Sequence, residues 1–112
     1  MGEQATRFEL RFEGQSVAEA NELALELQSE IRAAHEEAAA TIAKDDPSTQ
    51  DFGATLVVVL GTPAVAVIAK AIADYIQRRG VSVVITPEGG AEIKNVRSAD
   101  LASIVKNLPR KK

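Results

Sequence analysis

Ala54-Thr55-Leu56-Val57-Val58-Val59-Leu60-Gly61-Thr62-Pro63 is the stretch on which the fold turns. Its three consecutive valines permit a buried strand, because β-branched side chains fit a pleated surface. The same residues can be read as a helix entered from Ser48, broken at Gly61 and restarted at Thr62-Pro63, where threonine can cap and proline suits the first turn. Ser48-Thr49-Gln50-Asp51 has the form of a capping box that otherwise starts nothing. The helical reading of Ala54–Leu60 is therefore favoured over the strand.

Downstream, Pro63 to Arg79 predicts a helix. Val65, Ile68, Ile72, Tyr75 and Ile76 form an apolar stripe, and Thr62, Ala66, Ala69 and Ala73 a second stripe of small residues. Burial on two sides follows. Arg78 and Arg79 suit the C-terminal end of the helix dipole, and Gly80 suits the position just beyond it. Val81, Val83 and Ile85 alternate with polar neighbours, Pro87-Glu88-Gly89-Gly90 is a turn, and Ala91–Val96 completes a β-hairpin. Ser98 is placed as the cap of a last helix carrying Leu101, Ile104, Val105 and Leu108. Arg110-Lys111-Lys112 reads as a frayed basic tail.

Upstream, Phe8, Leu10 and Phe12 alternate with Arg7, Glu9, Arg11 and Glu13, the period of a half-buried strand. Ser16-Val17-Ala18-Glu19 is a capping box. The helix after it, with Leu23, Leu27 and Ile31 inward and Glu22, Glu26 and Glu30 outward, is expected to run to about Ala43 and to end before Pro47. The resulting expectation is one α+β domain, order β-α-α(α)-β-β-α, with about three strands in one sheet covered by helices.

The chain has 112 residues, of which 46% are hydrophobic and 26% charged, the composition of a globular domain rather than a disordered one. The absence of cysteine excludes disulfide scaffolds, thiol nucleophiles and iron–sulfur sites, and a single histidine excludes a multi-histidine metal site. The net charge of −3 disfavours a general nucleic-acid coat. Residues 1–56 carry four basic and twelve acidic groups, residues 57–112 nine basic and four acidic. Such polarity can steer association or form two solvated faces that attract each other within one fold, and the second reading is favoured because one small domain folds both halves together. Met1–Thr6 lacks the basic and apolar regions of a secretory signal, and its loose match to an acylation pattern is taken as chance. Cytoplasmic localisation is expected.

Candidate chemistry is sparse. His35 has Ile31 and Ala39 one turn away, where a metal site needs ligands, and is read as a surface residue. No nucleotide-binding or nucleophile motif occurs, and no enzyme activity, cofactor or metal is expected. The candidate binding residues are Arg78, Arg79, Gly61 and Thr62. The Gly61-Thr62-Pro63 turn could offer main-chain N–H groups to a phosphate, although Pro63 removes one donor. Phe52–Ala69 is uncharged and just long enough to span a bilayer, which gives a membrane-associated alternative. Gly53, Gly61 and Pro63 inside it, and Lys70 beyond, favour a core element instead.

Leu56-Val57-Val58-Val59-Leu60-Gly61, Ala64–Ala73 and Tyr75-Ile76-Gln77-Arg78-Arg79, followed by a hairpin with the turn Pro87-Glu88-Gly89-Gly90, resemble the effector-associated constant component family of bacterial conflict systems. The resemblance spans most of the chain. It implies a non-enzymatic adaptor, encoded beside proteases or signalling ATPases, that couples a sensor to an effector by protein–protein contact. A protein partner is thus expected, a homodimer is compatible with so small a domain, nucleic acid is not expected, and membrane contact is disfavoured.

Overall fold

Strand β1 (Ala5–Phe12) alternates as its sequence requires: Thr6, Phe8, Leu10 and Phe12 are buried while Ala5, Arg7, Glu9 and Arg11 are half-buried. The computed structural model describes residues 5–43 and 54–108, and the backbone of 110–111. Helix α1 (Val17–Ala34) starts at the expected capping box. Ser16 Oγ accepts the Glu19 N–H at 3.1 Å, and Glu19 Oε1 accepts the Ser16 N–H at 3.3 Å.

The helix does not reach Ala43. His35 turns to extended backbone, and Ala38–Ala43 forms strand β2. The segment Ala54–Leu60 is likewise a strand rather than the favoured helix. Strand β3 (Thr55–Gly61) buries Leu56, Val58 and Leu60 against the core and leaves Val57 and Val59 half-buried on the other face. Sheet pairing overrides helix propensity here: β3 is flanked by β1 on one side and β2 on the other, so its residues Leu56 to Leu60 have strand partners on both sides. The Ser48 box, Phe52 and Gly53 lie outside the described residues.

A 3-10 turn (Thr62–Ala64) leads into helix α2 (Val65–Arg79), which ends at Gly80 with φ 66°. Strand β4 (Val83–Pro87) and strand β5 (Ile93–Val96) make the expected hairpin. Helix α3 (Ser98–Lys106) begins one residue earlier than expected: Ser98 is inside it, and Arg97 precedes it without a side-chain cap bond. The C-terminal tail is not frayed throughout. Arg110 and Lys111, strand β6, pair with Thr6 and Ala5.

The sheet is therefore larger than three strands. Its order is β2-β3-β1-β4-β5, all neighbours antiparallel, with β6 beside β1 beyond the end of β4. β1 and β2 run parallel with β3 between them, and β3 and β4 run parallel with β1 between them. Each pair is joined by a helix, so two split β-α-β units interlock in the β-α-β-β-α-β pattern called ferredoxin-like. The helices cover one face of the sheet. Leu27 and Ile31 from α1, Ile68, Ile72 and Ile76 from α2, and Leu101 from α3 meet Phe8, Leu10, Leu56, Leu60 and Ile85 in one core. No helix among the described residues is long and apolar enough to cross a membrane; the described part of the uncharged stretch is divided among β3, the 3-10 turn and α2.

Candidate functional site

Four residues were singled out in the sequence, and the fold puts them in two separate places. Arg78 and Arg79 sit in the last turn of α2, where they meet the carboxylates of α1. Arg78 Nη2 donates to Glu30 Oε2 at 2.7 Å and to Oε1 at 2.9 Å, and Arg79 Nε lies 3.8 Å from Glu26 Oε1. Arg78 also stacks over the Tyr75 ring, 5.6 Å from its centroid. The acidic and basic halves of the sequence thus meet along the α1–α2 seam, as the charge division suggested.

Tyr75 anchors that seam. Its ring is buried, edge-on to Phe12 at 6.4 Å, and its hydroxyl donates to Glu26 Oε1 at 2.6 Å, with the Leu23 carbonyl 3.3 Å from the same oxygen. Burial pushes its pKa up strongly, and the Glu26 carboxylate beside it adds to the shift, because both disfavour the phenolate. A shallow depression of about 470 Å³ lies over these groups, lined by Glu26, Ser29, Glu30, Tyr75, Arg78 and Arg79. Its charges are spent on each other across the seam, which leaves a surface of paired ions rather than a set of groups aimed at a ligand.

Gly61 and Thr62 lie far along the chain from that seam, at the β3–α2 junction. The Gly61 N–H donates to the Glu37 carbonyl at 2.9 Å, and a Cβ at this position would meet the Glu37 side chain, whose own Cβ would stand 3.3 Å away. Close approach of the β2 turn therefore accounts for this glycine. Pro63 stands in the 3-10 turn without a donor.

His35 closes α1. Its Nδ1 accepts the Glu37 N–H at 3.0 Å, and its carbonyl accepts the Ala38 N–H at 3.2 Å, so it shapes the turn into β2. Among the described residues no cluster of three metal-ligating side chains occurs.

The feature that the sequence reading did not find is the second face of the sheet. No helix covers it among the described residues. Across it run three rows set by the strand register: Ala39, Val59 and Arg7; Thr41, Val57, Glu9 and Thr86; and Ala43 beside Thr55, with Arg11 beside Val84. The β2–β3 half of this face is uncharged, with Val57 and Val59 among small side chains, two of them threonines, and the β1 strip is charged. Arg11 is held there by an ion pair with Glu92. Missing β3 as a strand hid this face, since Val57 and Val59 acquire a common side only in a period of two.

No family model, no curated protein and no solved structure matches this chain.

Proposed function

We propose that the chain is a non-enzymatic adaptor that works by protein–protein contact, and that it couples a sensor to an effector, as the likeness in Leu56–Gly61, Ala64–Ala73 and Tyr75–Arg79 implies. One observation carries the reading: a sheet face without a covering helix among the described residues, apolar at Val57 and Val59 and bordered by Arg7, Glu9 and Arg11. An apolar centre with a charged border is the anatomy of a protein-binding surface. The arrangement suits a protein partner better than a small ligand, because the face is a broad pleated surface and not a cleft.

Photo-crosslinking tests this. A photoreactive amino acid at position 57 or 59 is expected to trap one defined protein in the native host. The same probe at Gln77, exposed on the helical side, is expected to trap none of it. Equal trapping from both sides, or no protein trapped from the sheet face, would defeat the reading.

A further inference from the structure

The two edges of the sheet are built differently. At β5 the register slips by one residue, so Lys94 and Asn95 together oppose Val84. Asn95 has a left-handed φ of 58°, and its N–H donates to Glu13 Oε1 at 3.1 Å. A bulge, a charge and a capping carboxylate are devices that stop a strand edge from pairing further. Strand β2, the opposite edge, has none of them. Ala38-Ala39-Ala40-Thr41-Ile42-Ala43 holds no charge, proline or glycine, and its register with β3 is unbroken.

The bond from the Gly61 N–H to the Glu37 carbonyl fixes the phase of the β2–β3 ladder. Antiparallel pairs alternate, so Ala39, Thr41 and Ala43 turn their main-chain groups toward β3, while Ala38, Ala40 and Ile42 turn theirs outward. The outward Ala38 N–H donates to the His35 carbonyl, and the outward Ala40 carbonyl accepts Gln28 Nε2 at 2.9 Å. No described residue bonds the Ala40 N–H or either main-chain group of Ile42.

A second, independent feature lies beside this edge. Among the described residues the exposed large hydrophobics are Val17, Leu25 and Val67. Val17 and Leu25 share a flank of α1 with Asn21 and Gln28, at helical spacing. Asn21 Oδ1 accepts the Ala54 N–H at 2.9 Å and Gln28 reaches Ala40, which locates that flank over the β2 side of the sheet. Leu25 is 58% exposed there.

We propose that β2 is the contact between two copies of this chain, paired antiparallel across a two-fold axis with Ala40 opposite itself. In this register the Ile42 N–H meets the Ala38 carbonyl of the second copy and the two Ala40 residues exchange N–H and carbonyl, while the Ala38 N–H stays on His35. Ala39 faces Thr41 of the second copy. The pairing maps one uncharged strand onto itself, so no like charges meet within it, which an isologous contact requires. Gln28 stays in place, because the Ala40 carbonyl has two lone pairs. A six-residue edge alone falls short of the ~800 Å² per partner of a stable interface, and the Val17–Leu25 flank of each copy supplies further apolar area. This contact is independent of the adaptor reading and can stand or fall without it.

The test is the solution mass, by sedimentation equilibrium, of the full chain and two variants at exposed positions. The wild type is expected at twice 11.9 kDa in the micromolar-to-millimolar range. A39K/T41K sets lysine opposite lysine at two places and is expected to weaken dimerisation about tenfold. A39K/T41E sets lysine opposite glutamate in the same register and is expected to keep the dimer. Independently of any substitution, amide exchange at Ala40 and Ile42 is expected to slow as protein concentration rises. A wild type that stays monomeric throughout, a dimer indifferent to A39K/T41K, or loss of the dimer in A39K/T41E would each overturn the proposal.

Discussion

Tyr75 gives the sharpest test of the seam between α1 and α2, because it is the single tyrosine of a chain without tryptophan. Its ring is 2% exposed and its hydroxyl donates to Glu26. In the unfolded chain the phenol releases its proton near an ordinary pKa of about 10. In the folded chain desolvation first, and the Glu26 carboxylate second, raise that value well above the ordinary one. The sign follows directly. Below about pH 10 both states keep the proton and this group makes stability independent of pH. Above it the unfolded state binds fewer protons than the folded state, so the free energy of unfolding falls by about 1.4 kcal/mol per pH unit until the folded phenol itself ionises. Tyr75→Phe removes the titration and, with it, a hydrogen bond contributing about 1 kcal/mol at neutral pH. The two stability curves, from urea unfolding at a series of pH values, are thus expected to cross roughly one unit above pH 10, with the wild type more stable on the acid side. The phenolate absorption band, which reports this residue alone, is expected to appear only as the fold melts. A band that rises near pH 10 with circular dichroism unchanged, or curves that stay parallel, would refute the argument.

Other consequences are more local. The Thr6 hydroxyl is buried with no partner among the described residues, so Thr6→Val is expected to raise stability by about 1 kcal/mol, a shift of several degrees in Tm; a fall would mean the hydroxyl is bonded. Glu13 Oε1 accepts from both Ser82 Oγ at 3.0 Å and the Asn95 N–H at 3.1 Å. Glu13→Ala is accordingly expected to cost about 1–3 kcal/mol and to speed amide exchange at Val96, whereas unchanged exchange would show that the bulge holds without it. A double-mutant cycle of Arg78→Ala with Glu30→Ala should give a coupling under about 1 kcal/mol that shrinks as salt is added, both side chains being largely exposed. A larger, salt-independent coupling would place this pair in a drier setting than the seam provides.

Elements whose own residues carry the full pattern were legible without the structure. The β1 alternation, the Ser16–Glu19 box, the α2 stripe ending at Gly80 and the β4–β5 hairpin each declare themselves within a few residues. The two strands misread as helix are those whose own residues carry no alternating pattern. Alanine-rich Ala38–Ala43 has strong helix propensity and becomes β2 only through β3. Its one signal was the end of the regular glutamates at Glu37. In Thr55–Gly61 both faces carry valine or leucine, because the uncovered face is itself apolar, and that erased the alternation which marks a strand. The seam was half legible. Arg78 and Arg79 were identified as helix-end cations, and the uneven charge of the two halves pointed to their attraction, but Glu30 stands 48 residues from Arg78 and only the fold brings them together.

The ion pairs at the seam also decide which surface a protein partner can use at least cost. To engage Arg78 or Arg79, an acidic partner must displace Glu30 or Glu26, exchanging one exposed ion pair for another, with a net change near zero. Among the described residues the sheet face has no such competitor at its apolar half. Covering Val57 and Val59 removes hydrocarbon from water at about 25 cal/mol per Å² and breaks no existing bond, since the main-chain groups of β3 are already paired within the sheet. The charged strip of Arg7, Glu9 and Arg11 then acts as a filter: facing a partner of the wrong charge pattern it repels, and facing the right one it fixes orientation more than it adds affinity. Affinity from β3 and selectivity from β1 would thus reside on adjacent strands of one rigid sheet, held in register by six consecutive residue pairs from Ala5–Gly61 to Leu10–Leu56.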